Sequence, residues 1–172
     1  KEEFVVDDYT ISIIEKYGDT CDDLHTDLHE CLGHGSGRLL PGVDSDALKS
    51  YGNTIEEARA DLFALYFIAD DKLIELGLVP DKDAYKSQYY TYIMNGLLTQ
   101  LTRIKPGHNI EEAHMRNRAL IAHWCYENGD AIRLTKKDGK LFVVIDDYPA
   151  LRMLFAKLLA EIQRIKSEGD YL

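Results

Sequence analysis

Residues 27–37 read Asp-Leu-His-Glu-Cys-Leu-Gly-His-Gly-Ser-Gly, with His29 and His34 on either side of Glu30 and glycines behind them. Imidazole nitrogens and carboxylate oxygens are the donor set of zinc, and a glutamate next to a ligand histidine is placed as the general base of peptide hydrolysis. In the common zinc-peptidase pattern the histidines are four apart; here they are five apart. At about 100° per residue, four positions leave two helical side chains roughly 40° apart, and five leave them roughly 140° apart. A regular α-helix would aim only one of them at a shared ion. The spacing therefore predicts a π-type widening of the turn around Cys31 to His34, a distortion found mostly at functional sites. Gly33 is the residue type that makes such a distortion cheap. A catalytic zinc takes three protein ligands and keeps one position for water, so a carboxylate from a following helix is the natural third ligand.

Further along the chain reads Thr54-Ile55-Glu56-Glu57-Ala58-Arg59-Ala60-Asp61. On its own, Thr54 with Glu57 three on is a capping box, in which Glu57 reaches back to the Thr54 backbone. Taken with the first stretch, the two motifs point elsewhere. His-Glu-x-x-Gly-His with Gly-Ser-Gly behind it, then Glu-Glu-x-Arg-x-acid, resembles the dipeptidyl peptidase III family of zinc aminopeptidases.

The resemblance implies a hydrolase with one zinc ion per chain, held by His29, His34 and Glu57. It implies that Glu30 takes a proton from the attacking water and passes it to the leaving amine. Glu56 and Asp61 match the family's acidic residues that hold ligand histidines from behind, a support that fixes tautomer and orientation. His114-Met115-Arg116-Asn117-Arg118 resembles a segment whose histidine stabilises the transition state and whose arginine supports the site; the four-residue spacing puts His114 and Arg118 on one helical face. The implied substrate is an oligopeptide, shortened by dipeptides from its N-terminus. Arg59 is read as pointing elsewhere and balancing an acidic turn. Eukaryotic members carry another arginine five residues after the one matched by Arg118, and this chain has His123 there. His25 and His108 match nothing in the family and read as surface residues or supports. The alternative is a zinc-binding scaffold or interaction domain without turnover, but a scaffold has no need of Glu30.

The 172 residues amount to a single domain with a sizeable core. A formal net charge of -10 gives no electrostatic case for nucleic acid or an anionic membrane. No apolar run approaches the ~20 residues needed to span a bilayer, and no secretory leader opens the chain. Cys21, Cys31 and Cys125 form no paired framework and suit a reducing, cytoplasmic setting. Cys31 reads as a small buried residue and not as a ligand. The chain opens on Lys1-Glu2-Glu3 without Met, as at a cut end. Members of the family are much longer, with a second lobe across a cleft that holds the peptide's free amino end. The expectation is thus a catalytic lobe, 1–172, that is weakly active or inactive without its missing second lobe.

The elements that must position these residues are mostly helical. A strand end at Phe4 to Val6 precedes a helix capped by Asp7 or Asp8 and stopped by Gly18. A fresh start at Thr20 to Asp23 leads into the metal helix, and a loop follows from Leu39 to Tyr51. The next helix runs from Asn53 or Thr54 to Leu76, with Leu62, Leu65, Tyr66, Ala69 and Leu73 at spacings of three and four. A third covers Asp83 to Ile104, its tyrosines 85, 89, 90 and 92 read as packing residues, and Pro106-Gly107 breaks it. A fourth starts at Asn109, with Glu112 three on, and ends near Asn128. Asp138-Gly139 between β-prone runs predicts a hairpin. A last helix starts near Asp147, with Pro149 in its first turn, and runs to Lys166. The predicted fold is a mainly α, zinc-binding catalytic lobe with one small β-hairpin near the C-terminus.

Overall fold

The computed structural model describes Val5, residues 7–99 and residues 109–170, apart from the side chains of Ser50, Thr99 and residues 109–112. Six α-helices, two π-helical turns, one short 3-10 helix (Lys49–Tyr51, at the end of the predicted loop) and one two-stranded antiparallel sheet make up the regular structure of these residues. Helix α1 spans Asp8–Leu28 and runs straight into a π-helical turn, His29–His34. Helices α2 (Gly52–Ile68), α3 (Asp71–Glu75), α4 (Tyr85–Met94) and α5 (Asn109–Glu127) follow. Strands β1 (Ile132–Lys137) and β2 (Lys140–Ile145) precede α6 (Tyr148–Glu168).

Helix α1 is one element, not two. Asp7 caps it by accepting from the Thr10 amide at 2.7 Å. Ile13, Tyr17, Cys21, Leu24 and Leu28 then recur at helical spacing and form its buried face. Gly18 does not stop the helix. Its neighbours on that face are fixed from outside: the Tyr17 hydroxyl donates to Asp81, and the Cys21 thiol donates to the Ala84 carbonyl at 3.2 Å. These contacts offset the ~1 kcal/mol that a glycine costs inside a helix.

Helix α2 lies at the centre and packs against the π-turn, α1, α5 and α6. From Ala58 to Ile68 it is buried nearly all round, including the charged Arg59 and Asp61. It begins at Gly52 with no side-chain cap, so Thr54 is inside the helix and the capping box does not form. It also ends earlier than its pattern suggests. Asp70 accepts from the Lys72 amide at 2.9 Å and starts the short α3. The tyrosine-rich helix is shorter too, since after Met94 the chain widens into a second π-turn, Asn95–Thr99. The predicted continuation through Leu101 and Ile104 to Pro106-Gly107, together with His108, lies outside the described residues, as do the side chains of Asn109 and Glu112.

The core joins Leu62, Leu65 and Ile68 of α2 to Tyr89 and Ile93 of α4, Ile121 and Cys125 of α5, and Leu151, Phe155 and Ile162 of α6. Tyr89 donates to the Leu65 carbonyl at 2.7 Å and Tyr90 to the Val143 carbonyl at 2.6 Å, so both rings are buried with their hydroxyls satisfied. The hairpin pairs Ile132 with Ile145 and closes over Asp138-Gly139, both at positive φ, as a two-residue turn requires. Val5 bridges to Val143 at the predicted strand end. Asp147 caps α6 by accepting from the Ala150 amide, and Gly169 ends it in the left-handed conformation. No helix among the described residues is long and apolar enough to cross a membrane.

Candidate metal centre

The turn from His29 to His34 is π-helical, as the five-residue spacing predicts. The added residue in the turn brings the two imidazoles onto one face, with His29 Nε2 and His34 Nε2 only 3.0 Å apart. The excess length is carried on the outer side, where Cys31 and Leu32 are exposed. Cys31 is thus not the small buried residue that its place in the motif suggests. Gly33 also plays a different part from the expected one. A Cβ there would lie 2.7 Å from both Cα and Cβ of Ala60, so its role is to let the π-turn seat directly on the backbone of α2.

That seating brings α2 side chains to the histidines. Glu57 places one oxygen 3.2 Å from His29 Nε2 and the other 3.4 Å from His34 Nε2. The other ring nitrogens already have partners. His29 Nδ1 lies 2.8 Å from Asp61 Oδ1, and His34 Nδ1 lies 3.2 Å from Glu56 Oε1. In the tautomer that donates Nδ1–H to each carboxylate, both Nε2 lone pairs face Glu57.

The donor set suits a metal ion on two counts. Ligand bonds of about 2.0–2.2 Å in a tetrahedral site set donor atoms about 3.3–3.6 Å apart, close to the separations found here. In addition, Glu57 Oε2 is buried with no hydrogen-bond partner, and an unsatisfied buried carboxylate oxygen is costly unless something else meets it. His29, His34 and Glu57 thus form a group able to hold a cation.

The charges around the group are set by burial and by specific partners. Burial works against a charge on His29, but its hydrogen bond to Asp61 and the nearby Asp61, Glu57 and Glu30 charges outweigh it and raise its pKa. Burial would raise the Asp61 carboxyl, yet the hydrogen bonds from His25 and His29 hold it well below the usual range. Glu56 behaves similarly: burial raises it, and hydrogen bonds from Arg59 and Lys166 bring it down to about 2.

Several supports have partners that the sequence does not show. His25 Nε2 lies 3.3 Å from Asp61 Oδ1, and the Tyr92 hydroxyl donates to Asp61 Oδ2 at 2.9 Å. Tyr92, expected only to pack, thus also holds a carboxylate in the core. His25 sits one turn before His29, a spacing that could have flagged it. Arg59 is the largest correction. It does pair with Glu56 of the acidic turn, but it does not point away; it is fully buried. Its Nη2 donates to the Gly33 carbonyl at 2.5 Å, the Ser36 carbonyl at 2.7 Å and Glu56 Oε1 at 2.8 Å. Arg59 therefore ties the exit of the π-turn to α2.

The remaining candidates differ in their distance from this group. Glu30 Oε1 is 3.9 Å from His29 Nε2, on a side chain 65% exposed, so it stands on the open side of the site. His114 Nδ1 reaches 3.7 Å from Glu57 Oε2, from a side chain that is itself 40% exposed. Among the described contacts Arg118 meets none of His29, His34 and Glu57, but it does have partners of its own. It lines a cavity of about 280 Å³ with Asp22, His25, Gln88 and Tyr92. His123 is exposed.

A model of peptidase family M49 matches residues 43–172, a range that includes Glu56 to Asp61 and His114 to Arg118 but starts after His34. The chain is similar in fold to the solved dipeptidyl-peptidase III of Caldithrix abyssi, with a TM-score of 0.69 and 22% identity over 98% of this chain. It is also similar to the dipeptidyl-peptidase III of Corallococcus sp. strain EGB, with a TM-score of 0.58 and 20% identity over 94% of this chain. It spans 30% of the length of each.

Proposed function

The chain belongs to peptidase family M49, and from that premise we propose that it is the zinc-bearing catalytic lobe, a single domain over 1–172, of a dipeptidyl aminopeptidase acting on oligopeptides. The observation that supports this best is the convergence of His29 Nε2, His34 Nε2 and the Glu57 carboxylate, with Glu30 at the open edge. One zinc ion per chain at these three residues would supply a Lewis acid that lowers the pKa of water to about 7.

The chain's own groups do the rest. Glu30, exposed and beside His29, takes the proton of the attacking water and delivers it to the leaving amine. Asp61 and Glu56 fix the tautomer and aim of His29 and His34 by accepting a hydrogen bond from the proton held on each Nδ1, which leaves Nε2 as the ligand nitrogen. His114, across from Glu57, donates toward the oxygen that gains negative charge. Arg118, one turn further along α5, acts from behind on the Tyr92–Asp61 pair. The free amino end of the peptide is held by a second lobe, like the remainder of the longer chains this one resembles. The lobe alone turns over far more slowly, because much of the rate comes from positioning the substrate.

Metal analysis and turnover test the assignment together. Wild-type protein should hold about one zinc per chain, with His34→Ala and Glu57→Ala losing it. Glu30→Gln should keep the zinc and, in a chain carrying both lobes, slow cleavage of a dipeptidyl arylamide by about 10²–10⁴. Equal zinc content in all four proteins, or a Glu30→Gln enzyme with unchanged kcat, would refute it.

A further inference from the structure

We propose that Lys166, on the last turn of α6, is a positioning residue of the metal centre that acts on His34 through Glu56. The proposal rests on the zinc reading above and adds to it a residue that neither the motifs nor the ligand geometry indicates.

The Glu56 carboxylate is the only link between His34 Nδ1 and the rest of the molecule among the described contacts. Its two oxygens are held from two directions. Arg59 takes both, with Nη2 to Oε1 at 2.8 Å and Nε to Oε2 at 3.1 Å. Arg59 is on the same helix, three residues on, so it fixes the carboxylate relative to α2. Lys166 Nζ donates to Oε2 at 2.6 Å from 110 residues away. It fixes the carboxylate relative to α6.

The turn that carries Lys166 is itself tied to the segment leaving His34. Gln163 Oε1 accepts from Arg59 Nη1 at 3.3 Å. The Leu40 amide donates to the Ser167 carbonyl at 2.9 Å, and the Ser167 hydroxyl donates to the Arg38 carbonyl at 2.9 Å. Gly169, which closes the helix, leaves room for Val43 and Ala47, each 2.8 Å from where a Cβ would be. The end of α6 thus forms a brace against α2 and the chain beyond the π-turn.

An ordinary surface ion pair would contribute little. This one differs because both side chains are largely covered, at 22% and 25% exposure, and because Glu56 already carries a ligand histidine. Direct electrostatics and positioning predict opposite signs. Lys166 is a cation near a cation site, so charge alone makes its removal tighten zinc binding. If Lys166 works by holding Glu56, its removal loosens His34 and weakens binding. Partners of ligand residues typically change metal affinity by 10–100-fold; one step further out, we expect about the lower end of that range.

The experiment measures the zinc Kd by chelator competition for wild type, Lys166→Met, Lys166→Arg, Glu56→Gln and the Glu56→Gln/Lys166→Met double variant, with Glu57→Ala as the ligand control. The metal-free unfolding midpoint is read for each. We expect about tenfold weaker binding in Lys166→Met, near wild-type affinity in Lys166→Arg, and no further loss when Lys166→Met is added to Glu56→Gln. An unchanged or tighter Kd in Lys166→Met overturns the proposal. So does an equal loss in the Glu56→Gln background, or a lowered metal-free midpoint with an unchanged Kd. If Lys166→Met does not fold, Lys166→Gln takes its place in the same comparison. A wild-type chain that binds no zinc, or binds it equally after Glu57→Ala, rejects the zinc reading and this proposal with it; zinc bound through Glu57 and indifferent to Lys166 rejects this proposal alone.

Discussion

Replacing Arg59 with Met tests how the π-turn is held. The guanidinium is fully buried and reaches Gly33, Ser36, Glu56 and Gln163. Removing one partner of a buried ion pair costs about 3–5 kcal/mol. Glu56 is partly exposed and keeps Lys166, which lowers that figure; the two carbonyls that lose a charged donor add about 1–3 kcal/mol. The two corrections roughly cancel, and we expect Arg59→Met to lose about 3–5 kcal/mol. Arg59→Lys keeps the charge, but one ammonium cannot span acceptors on both sides of the turn, and a loss of about 1–3 kcal/mol is expected. The measurement is urea unfolding of the metal-free protein by far-UV circular dichroism. With a slope of about 2 kcal/mol per molar, the Arg59→Met midpoint should fall by about 2 M without a change in slope. If both variants stay within about 1 kcal/mol of wild type, Arg59 is the charge-balancing residue that its sequence context suggests, and the account of the turn is wrong.

Two further outcomes follow from the same contacts. Gly33→Ala places a methyl 2.7 Å from the backbone of Ala60; overpacking of this kind costs about 1–3 kcal/mol, and it should also weaken zinc binding by moving α2 away from the histidines. A variant with wild-type zinc affinity would show that the seating is not needed. Glu56, held down to about 2 from an ordinary 4.5, stabilises the metal-free fold fully above pH 4.5 and loses that contribution as the pH falls toward 2. The stability gap between wild type and Glu56→Gln should narrow over that interval; a gap constant from pH 6 to pH 2 would contradict the assignment.

Features governed by local chemistry were readable in advance. The hairpin follows from Asp138-Gly139, the start of α6 from Asp147 and Pro149, and the π-turn from two histidines spaced one residue too far for an α-helix. The features that were not readable depend on distant partners. Gly18 looks like a stop until Asp81 and Ala84 hold the residues on either side of it. Arg59 looks like a surface charge until α6 and the π-turn enclose it. Tyr92 looks like packing because nothing in its own helix reveals that Asp61 lies beneath its hydroxyl. Asp70 starts a new helix within a pattern whose apolar spacing continues through it, so the periodicity alone runs α2 and α3 together. Two histidines five apart are sparse and specific in a sequence; Glu57 read on its own as a cap and became a ligand candidate only through the family resemblance, and the supports are ordinary residues made important by the fold.

The π-turn also bears on how the sequence can change length. Inserting one residue into an α-helix rotates everything beyond it by about 100°, which would ordinarily scramble the packing of the following chain. Here the extra residue is taken up within a single turn, and the outward pair Cys31 and Leu32 carries it without filling any space in the core. Deleting Leu32 would leave His29 and the present His34 four apart, the spacing at which a regular helix aims both histidines one way. The two spacings are therefore neighbours in mutational terms, one codon apart. A lineage could pass between them without losing the pair of imidazoles, provided that the backbone of α2 shifted to meet the narrower turn.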